Sequence, residues 1–592
     1  MRYKDIASRN DLADFLGIKR NHLTFILYSK QVDNCYKSFE ISKKSGGKRV
    51  INAPDASLKA IQKRIASVLW KRLQEVRKEK EITQEEEGRP KTRLNISHAF
   101  EKEKSIITNA KVHRKKRYVF NTDLTEFFDS FNFGRVRGFF EKNKDFCLPK
   151  DVATVVAQLT CYKGSLPQGA PSSPIITNLI CQIMDFRLLK VAKKYKLDYT
   201  RYADDLTFST NNRHFLDCQD DFEKELSRVI ESSGFEINSG KTRLQFRDSR
   251  QVVTGLVVNQ KPNPPIEYRK KTRAMAYNLY KHGEFLIDED KGRICQLEGR
   301  FAFINQLDRE HNALIKKIEE AKSTKPTKER DRRGKIFSSR EMAYQEFLFY
   351  RYFYANEKIL IITEGKTDIV YLRAALKKLH KKYPEFIIKK EDGSFDYRIS
   401  FLRKTKRLRY FFGIDPGGDA LANLYKYYSD VEFYMPNLFK YFNELCPYPA
   451  KNPVILLFDN ETEGSERPLG KFFKEIKASK EQKEQTKKDL RLDLVEKSNL
   501  FLMTHQLVKG KGECEIEDLF DDDVLTVKIN GKAFRRDAEP GSREYYGKVE
   551  FASYIAKHYE SINFEGFEQI FNNIKKLPLS IDAKRNSQIK DE

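Results

Sequence analysis

Two adjacent carboxylates, Asp204 and Asp205, stand in the run 200–210, TRYADDLTFST, with strand-forming residues on both sides. Neighbouring side chains of an extended strand point to opposite faces, so both acids serve one site only if the chain turns between them. The stretch therefore predicts a β-hairpin whose tip presents Asp204 and Asp205 to divalent metal. Such acids suit phosphoryl transfer, in which two Mg²⁺ ions clamp the attacking and leaving oxygens. Four letters are a weak signal, since a solvated acidic turn is spelled the same way. The rest of the chain decides.

At 592 residues the chain has room for about three or four domains, each with its own core. Lys and Arg number 111 against 85 Asp and Glu, a net charge of +26. That field favours a polyanionic partner and salt-sensitive binding. The eight cysteines are scattered without a CxxC pair, so they read as reduced, packed thiols rather than zinc ligands or disulfides. The N-terminus lacks an apolar signal core, and no uncharged apolar run approaches about 18 residues. The expectation is a cytoplasmic protein with no membrane partner.

Residues 5–28 predict two short helices, read as a packing appendage rather than a helix-turn-helix DNA reader. The segment 43–52, KKSGGKRVIN, suits a hairpin whose backbone and cations approach phosphates. Leu58, Ile61, Ile65 and Leu69 form one face of a helix over 57–80. Residues 118–132 read as a strand ending in Asp123 and then an aromatic turn, and 265–320 are mainly helical. The basic, apolar-poor stretch around 321–340 is the linker candidate. Beyond it, the buried-type strands Ile359–Thr363 and Val454–Phe458 each end in acids, with helical segments between, as in a doubly wound parallel sheet.

Asp123 at a strand end is placed to share metal with Asp204 and Asp205. Phe128, five residues on, is placed to lie under an incoming sugar, where its ring would clash with a ribose 2′-OH. Leu166-Pro167-Gln168-Gly169 makes a rigid turn whose Gln168 and Gly169 allow backbone near a nascent base pair. Lys241 is a candidate for contacting departing pyrophosphate. In order, Asp123 with its aromatics, LPQGAPSSP, YADD, GFEINSGKT and VTGL resemble the palm and following motifs of reverse transcriptases. Asn109 and His113 in NAKVH match the NAxxH signature of retron reverse transcriptases, and Val253-Thr254-Gly255 match their VTG signature. SGGKRVINAP followed by LKAIQKRI resembles their fingers. Ala99 and Glu103 stand where that family often has glycines. The resemblance spans roughly 1–320 and implies an RNA-directed DNA polymerase using dNTPs and a two-Mg²⁺ site. It further implies priming from the 2′-OH of an internal guanosine in a cognate noncoding RNA, giving branched msDNA. It assigns Asn109, His113, Val253, Thr254 and Gly255 to RNA recognition.

Downstream, Glu364 opens Glu364-Gly365-Lys366-Thr367-Asp368 after the first buried strand, and Asp459-Asn460-Glu461 follows the second. Acids at the carboxyl ends of parallel strands gather at the crevice where such sheets bind ligands. Glu364 suits general acid/base work, and Asp459 with Glu461 suits Mg²⁺ or Mn²⁺. Strand–EGxxD–helix followed by strand–DxD resembles the Toprim fold, with Gly417-Gly418 as its intermediate glycine turn and Glu461 in place of the usual second aspartate. The combination resembles Toprim-fused retron defence proteins. The expected architecture is an α+β right-hand polymerase followed by a Rossmann-like α/β Toprim domain. Its segments are fingers and palm (1–264), thumb (265–320), basic linker (321–356), Toprim nuclease (357–525) and an extension without assigned role (526–592). The Toprim domain would act on a nucleic acid, and a homo-oligomer is compatible with the reading. Two alternatives stand beside it: a Toprim module that only binds nucleic acid, and a group II intron-like reverse transcriptase.

Overall fold

The computed structural model describes residues 2–42, 46–86, 96–322, 337–415, 421–430, 436–461, 467–508, 510–539 and 541–577. Gly417 and Gly418 lie outside these. The chain forms two compact units, one of residues 1–268 with 307–318, the other of 269–306 with 319–592.

The first unit runs α1 (Arg9–Phe15), α2 (Arg20–Thr24), β1 (Tyr36–Ser42), β2 (Lys48–Pro54), α3 (Ala56–Glu86), α4 (Ile106–Val112) and β3 (Tyr118–Asp123). It continues with α5 (Phe133–Lys142), α6 (Lys150–Thr160), α7 (Ser173–Lys194), β4 (Asp198–Tyr202), β5 (Asp205–Thr210) and α8 (Gln219–Ser232). Three short strands follow: β6 (Arg243–Phe246), β7 (Val252–Val253) and β8 (Leu256–Val257). β4, β5, β3 and β6 form an antiparallel sheet in that order. Its alternating inward residues, among them Phe120, Leu206 and Phe208, pack with Phe222 and Leu226 of α8 and Leu188 of α7. β1 and β2 pair as a separate hairpin, the one expected around Gly46-Gly47.

The expected acidic hairpin is β4–β5, with Tyr202 opposite Asp205 and a two-residue turn of Ala203-Asp204. Ala203 adopts φ 58°, an unfavourable region for a residue with a Cβ. The turn is held from behind. Arg201, wholly buried, makes a two-pronged pair with Asp185 of α7 at 2.9 and 2.8 Å, and donates to the Ala203 carbonyl at 3.2 Å. Tyr199 donates to the same Asp185 at 2.9 Å, and Asn178 accepts from the guanidinium at 3.3 Å. A buried pair satisfied on all sides specifies geometry, and losing one partner strands the other charge.

In the second unit five strands order as 399–401, 359–363, 454–458, 500–504 and 491–493, the first four parallel and the last antiparallel. Side chains alternate between two cores. Leu360, Ile362, Val454, Leu456, Leu500 and Leu502 face one, and Ile359, Ile361, Ile455, Leu457, Phe501 and Met503 face the other. This three-layer arrangement redraws the segments expected from sequence. Ala276, Leu279, Tyr280, Leu297 and Phe301, given to a thumb of 265–320, belong to the first of these cores. So do Tyr344, Phe347 and Tyr350, within the segment expected to be linker. Ser339–Phe349 is a helix with a capping box at Ser338 and Glu341, so linker character stops short of 356. The second core takes Phe551, Ile555, Phe567, Ile570 and Phe571, so this part of the extension left without a role forms a structural layer. Charge composition marked the linker, while the aromatic run at 344–354 that follows it carried the contrary signal. No helix among the described residues is long and apolar enough to cross a membrane. Cys35, Cys161, Cys181, Cys446 and Cys514 are buried free thiols.

Asp185→Asn should lower stability of the first unit by about 3–5 kcal/mol, because it leaves the Arg201 charge buried and unpaired. The lone tryptophan, Trp70 in α3, reports that unit's urea transition by fluorescence. A shift below about 1 kcal/mol, the scale of an exposed pair, would refute the structural role.

Candidate functional site

β3 and β5 register Asp123 directly opposite Asp205, and the turn places Asp204 beside both. Opposed residues of an antiparallel pair have Cα atoms about 4.5–5.5 Å apart, so these carboxylates share one small volume. Leu124 N–H donates to the Asp204 carbonyl at 3.1 Å, and Asn238 N–H to that of Asp123 at 2.8 Å, fixing the backbone. Partial desolvation, then the charges of Asp204 and Asp123, hold Asp205 well above the ordinary carboxylate value; solvent reaching its side chain tempers that push. Asp204 is raised by burial and by Asp123. Lys241 bonds the Asp123 carboxylate at 2.5 Å, which raises its own pKa. It thus supplies, as an ammonium, the positive charge that the three acids call for, where the sequence reading placed it on pyrophosphate. All-oxygen donors, with Asp204 and Asp205 raised in pKa, fit a hard divalent ion, whose binding relieves their repulsion.

Gly169 adopts φ 128°, and a Cβ there would lie 2.8 Å from the Asn52 carbonyl oxygen. Asn52 N–H in turn donates to the Gln168 carbonyl at 2.8 Å. The glycine thus admits the close approach of the β2 strand. Phe128 is half-buried, with its ring 6.5 Å from that of Phe100.

The residues assigned to RNA recognition divide. His113 is wholly buried, and its two ring nitrogens meet the hydroxyls of Ser209 on β5 and Thr200 on β4, each at 2.7 Å. It pins the acidic hairpin from inside, and as placed it reaches no ligand. Asn109 and Val253 are likewise wholly buried. Thr254 and Gly255, at φ 46° and 79°, form the β7–β8 turn, and the Thr254 hydroxyl donates to the Ile106 carbonyl of α4 at 3.4 Å. The two signatures, some 140 residues apart in sequence, therefore form one joint. Of the five, only Thr254 and Gly255 retain solvent access.

The second unit gathers its acids at the carboxyl ends of its central strands. Glu364 accepts from the Asp459 N–H at 3.0 Å. Asp368 caps the turn after Glu364 by accepting from Gly365 N–H at 2.8 Å, and a Cβ on Gly365 would sit 2.7 Å from that carboxylate. The glycine thus makes room for Asp368. Asp459 accepts from Ile516 N–H at 2.8 Å, and Glu461 lies 3.4 Å from Arg467. Burial, then Asp459, pushes Glu364 up to about 8. Sequence reasoning gave no site role to three members of this group. Glu517, fully buried and raised by burial to about 7, receives Lys548 at 3.1 Å and the Tyr371 hydroxyl at 3.3 Å. Lys404 donates to the Glu364 carbonyl at 3.0 Å, and burial lowers it to about 8. Lys548 comes from the stretch without assigned role, and no local pattern links it to strands nearly a hundred or more residues earlier. Among the described residues, no three His, Cys, Asp or Glu side chains converge as a ready cation cage. Salt bridges such as Lys241–Asp123 and Arg467–Glu461 hold these acids instead.

A family model described as reverse transcriptase (RNA-dependent DNA polymerase) matches residues 41–277. The retron Mx162 reverse transcriptase of Myxococcus xanthus is 32% identical over 354 residues, covering 54% of this chain and 68% of the relative. The retron Ec86 reverse transcriptase of Escherichia coli is 32% identical over 312 residues, covering 52% and 87% respectively. An apo telomerase of Candida tropicalis, truncated from its C-terminal domain, shares 16% identity and a TM-score of 0.27 over 39% of this chain and 55% of that one. A likeness at that score carries no argument.

Burial, with Lys116 and His98, holds the His113 pKa down at about 3. The unfolded chain takes up a proton near pH 6.5 that the folded one refuses, so this stability is complete above 6.5 and is lost as pH falls toward 3. Between pH 6.5 and 5 the native protein should lose about 2 kcal/mol more than His113→Gln, read from Trp70 urea transitions. Parallel pH profiles for the two proteins would disprove the buried-neutral assignment.

Proposed function

The chain belongs to the retron reverse transcriptases, and from that premise we propose that its first unit copies a cognate structured noncoding RNA into branched msDNA. Priming from an internal 2′-OH and use of dNTPs are part of this reading. The observation that carries it is the register of Asp123 opposite Asp205 with Asp204 at the adjoining turn. When bound there, a pair of Mg²⁺ ions supplies Lewis-acid activation of the attacking hydroxyl and charge compensation for the leaving pyrophosphate. Asp123, Asp204 and Asp205 are the residues that would hold it. Phe128 borders the site as the ring that excludes a ribose 2′-OH, and Gln168-Gly169 fix the β2 strand next to it. Lys241 is free to leave Asp123 for the pyrophosphate once other cations neutralise that carboxylate. Thr254 and Gly255 remain the accessible part of the proposed RNA contact.

For the second unit we infer a Toprim-type, metal-dependent phosphodiesterase that acts as the effector of an antiphage retron. The four parallel strands with Glu364, Asp368, Asp459 and Glu517 at one end support it, because acids so placed face the crevice of an open α/β sheet. Those acids fit Mg²⁺ or Mn²⁺, with Glu364 poised near neutrality for proton transfer. The pairing of Glu461 with Arg467 favours a second reading, in which the unit binds nucleic-acid ends without cutting them.

Asp204→Asn combined with Asp205→Asn should reduce cDNA synthesis by at least about a hundredfold, the scale on which a lost electrostatic stabiliser slows an enzyme. Normal cDNA from that protein would sink the assignment. Glu364→Ala should leave cDNA intact and abolish Mg²⁺- or Mn²⁺-dependent cleavage of an RNA and DNA panel. If the unaltered protein cuts nothing in that panel with either metal, the binding-only reading stands.

A further inference from the structure

A pocket of about 600 Å³ opens between the α2 segment and α3, lined by Lys19, His22, Phe25, Ser57, Ile61 and Arg64 among others. It has a local cause. Leu12, Leu16, Leu23 and Ile26 bury the inner faces of the N-terminal helices in the core of the first unit. Ser57, Ala60, Ile61 and Arg64 recur at i, i+3, i+4 and i+7 along one stripe of α3. Small side chains at 57 and 60 leave a hollow where larger ones would close the gap.

The lining is one-sided in charge, with Lys19, Arg64 and the titratable His22, and no acid. Arg64 is fixed at the pocket edge, where its guanidinium donates to the carbonyls of Leu16, at 3.0 Å, and Gly17. His22 Nε2 and the Ser57 hydroxyl meet at 3.0 Å. Phe25 lines the same pocket with half its surface, 50%, exposed, and Tyr28 on the same turn is 55% exposed, with the Arg9 guanidinium 5.5 Å from its ring centre. An exposed ring beside fixed cations is the arrangement that takes a base on its face and the adjoining phosphate on its charges. The volume suits one nucleotide. A duplex reader is disfavoured, because α2 has only five residues and its Arg20 is tied to Asp14 at 2.5 Å.

We propose that this pocket binds one nucleotide unit of single-stranded nucleic acid, with the base on Phe25 and the phosphate between Lys19 and Arg64. No pocket residue belongs to the acidic centre of the same unit. The site therefore anchors a strand at a second point, independent of template copying.

The test is photocrosslinking of the full chain to an eight-residue oligonucleotide of about one OB-fold site size, carrying 5-iodouridine, with adducts located by mass spectrometry. Adducts are expected at Phe25 or Tyr28. Lys19→Glu, at an exposed position, should cut their yield about tenfold at 0.1 M salt on the order expected for a lost phosphate contact. Phe25→Ala should weaken oligonucleotide binding by about fivefold or more at this position. Asp204→Asn with Asp205→Asn should leave the adducts unchanged, which separates this site from the polymerase centre. Adducts confined to other peptides, an unchanged yield in Lys19→Glu, or equal competition by duplex or by inorganic phosphate would each overturn the proposal.

Discussion

The buried guanidinium of Arg201 carries the geometry on which the first unit's chemistry depends. One prong pair holds Asp185 on α7, and a third N–H holds the carbonyl of Ala203, the residue that turns the chain with positive φ. Without that hold an alanine would not be the natural choice for a left-handed turn position. With it, Asp204 is thrust out of the strand while Asp205 begins the next one, opposite Asp123. His113 works from the other side of the same hairpin by bridging Thr200 and Ser209. Two buried polar devices thus brace three carboxylates that repel one another.

The same logic of constrained acids recurs in the second unit with different means. There the rigid frame is a parallel sheet buried on both faces, and the acids project from its carboxyl edge. The layer supplied by 548–575 closes one face and delivers Lys548 to Glu515 and Glu517. A segment left without a role by its sequence is thereby joined to the acidic crevice. Both units balance crowded carboxylates with lysine, Lys241 in one and Lys548 in the other.

How much of this was legible varies by the range of the interaction involved. The hairpin at 202–205, the strands at 359–363 and 454–458, and the helical stripe of Leu58, Ile61, Ile65 and Leu69 follow from periodicity and short-range turn chemistry. The close neighbours of Gly169 and Gly365 did not: they are Asn52 of β2 and the Asp368 carboxylate. A glycine announces that something comes close, and its sequence neighbours do not say what. The NAxxH and VTG signatures were read as RNA contacts because they resemble those of retron reverse transcriptases. Burial turns His113 into an internal pin between Thr200 and Ser209 instead, and Asn109 is buried as well.

By itself the sequence determined the chemistry on offer: three aspartates bordered by strands, a second set of acids at strand ends, a strongly basic chain, and membership in a polymerase lineage through ordered motifs. Those features rest on residue identity and on contacts a few residues long, which spacing encodes directly. Tertiary structure alone decided which acids meet, that Asp185 answers Arg201, that Lys548 reaches Glu517, and that Leu279, Tyr280, Leu297 and Phe301 join a core of the second unit. These are encounters between residues tens to hundreds of positions apart. They are selected by burial and charge compensation across the whole fold, and no local pattern records them.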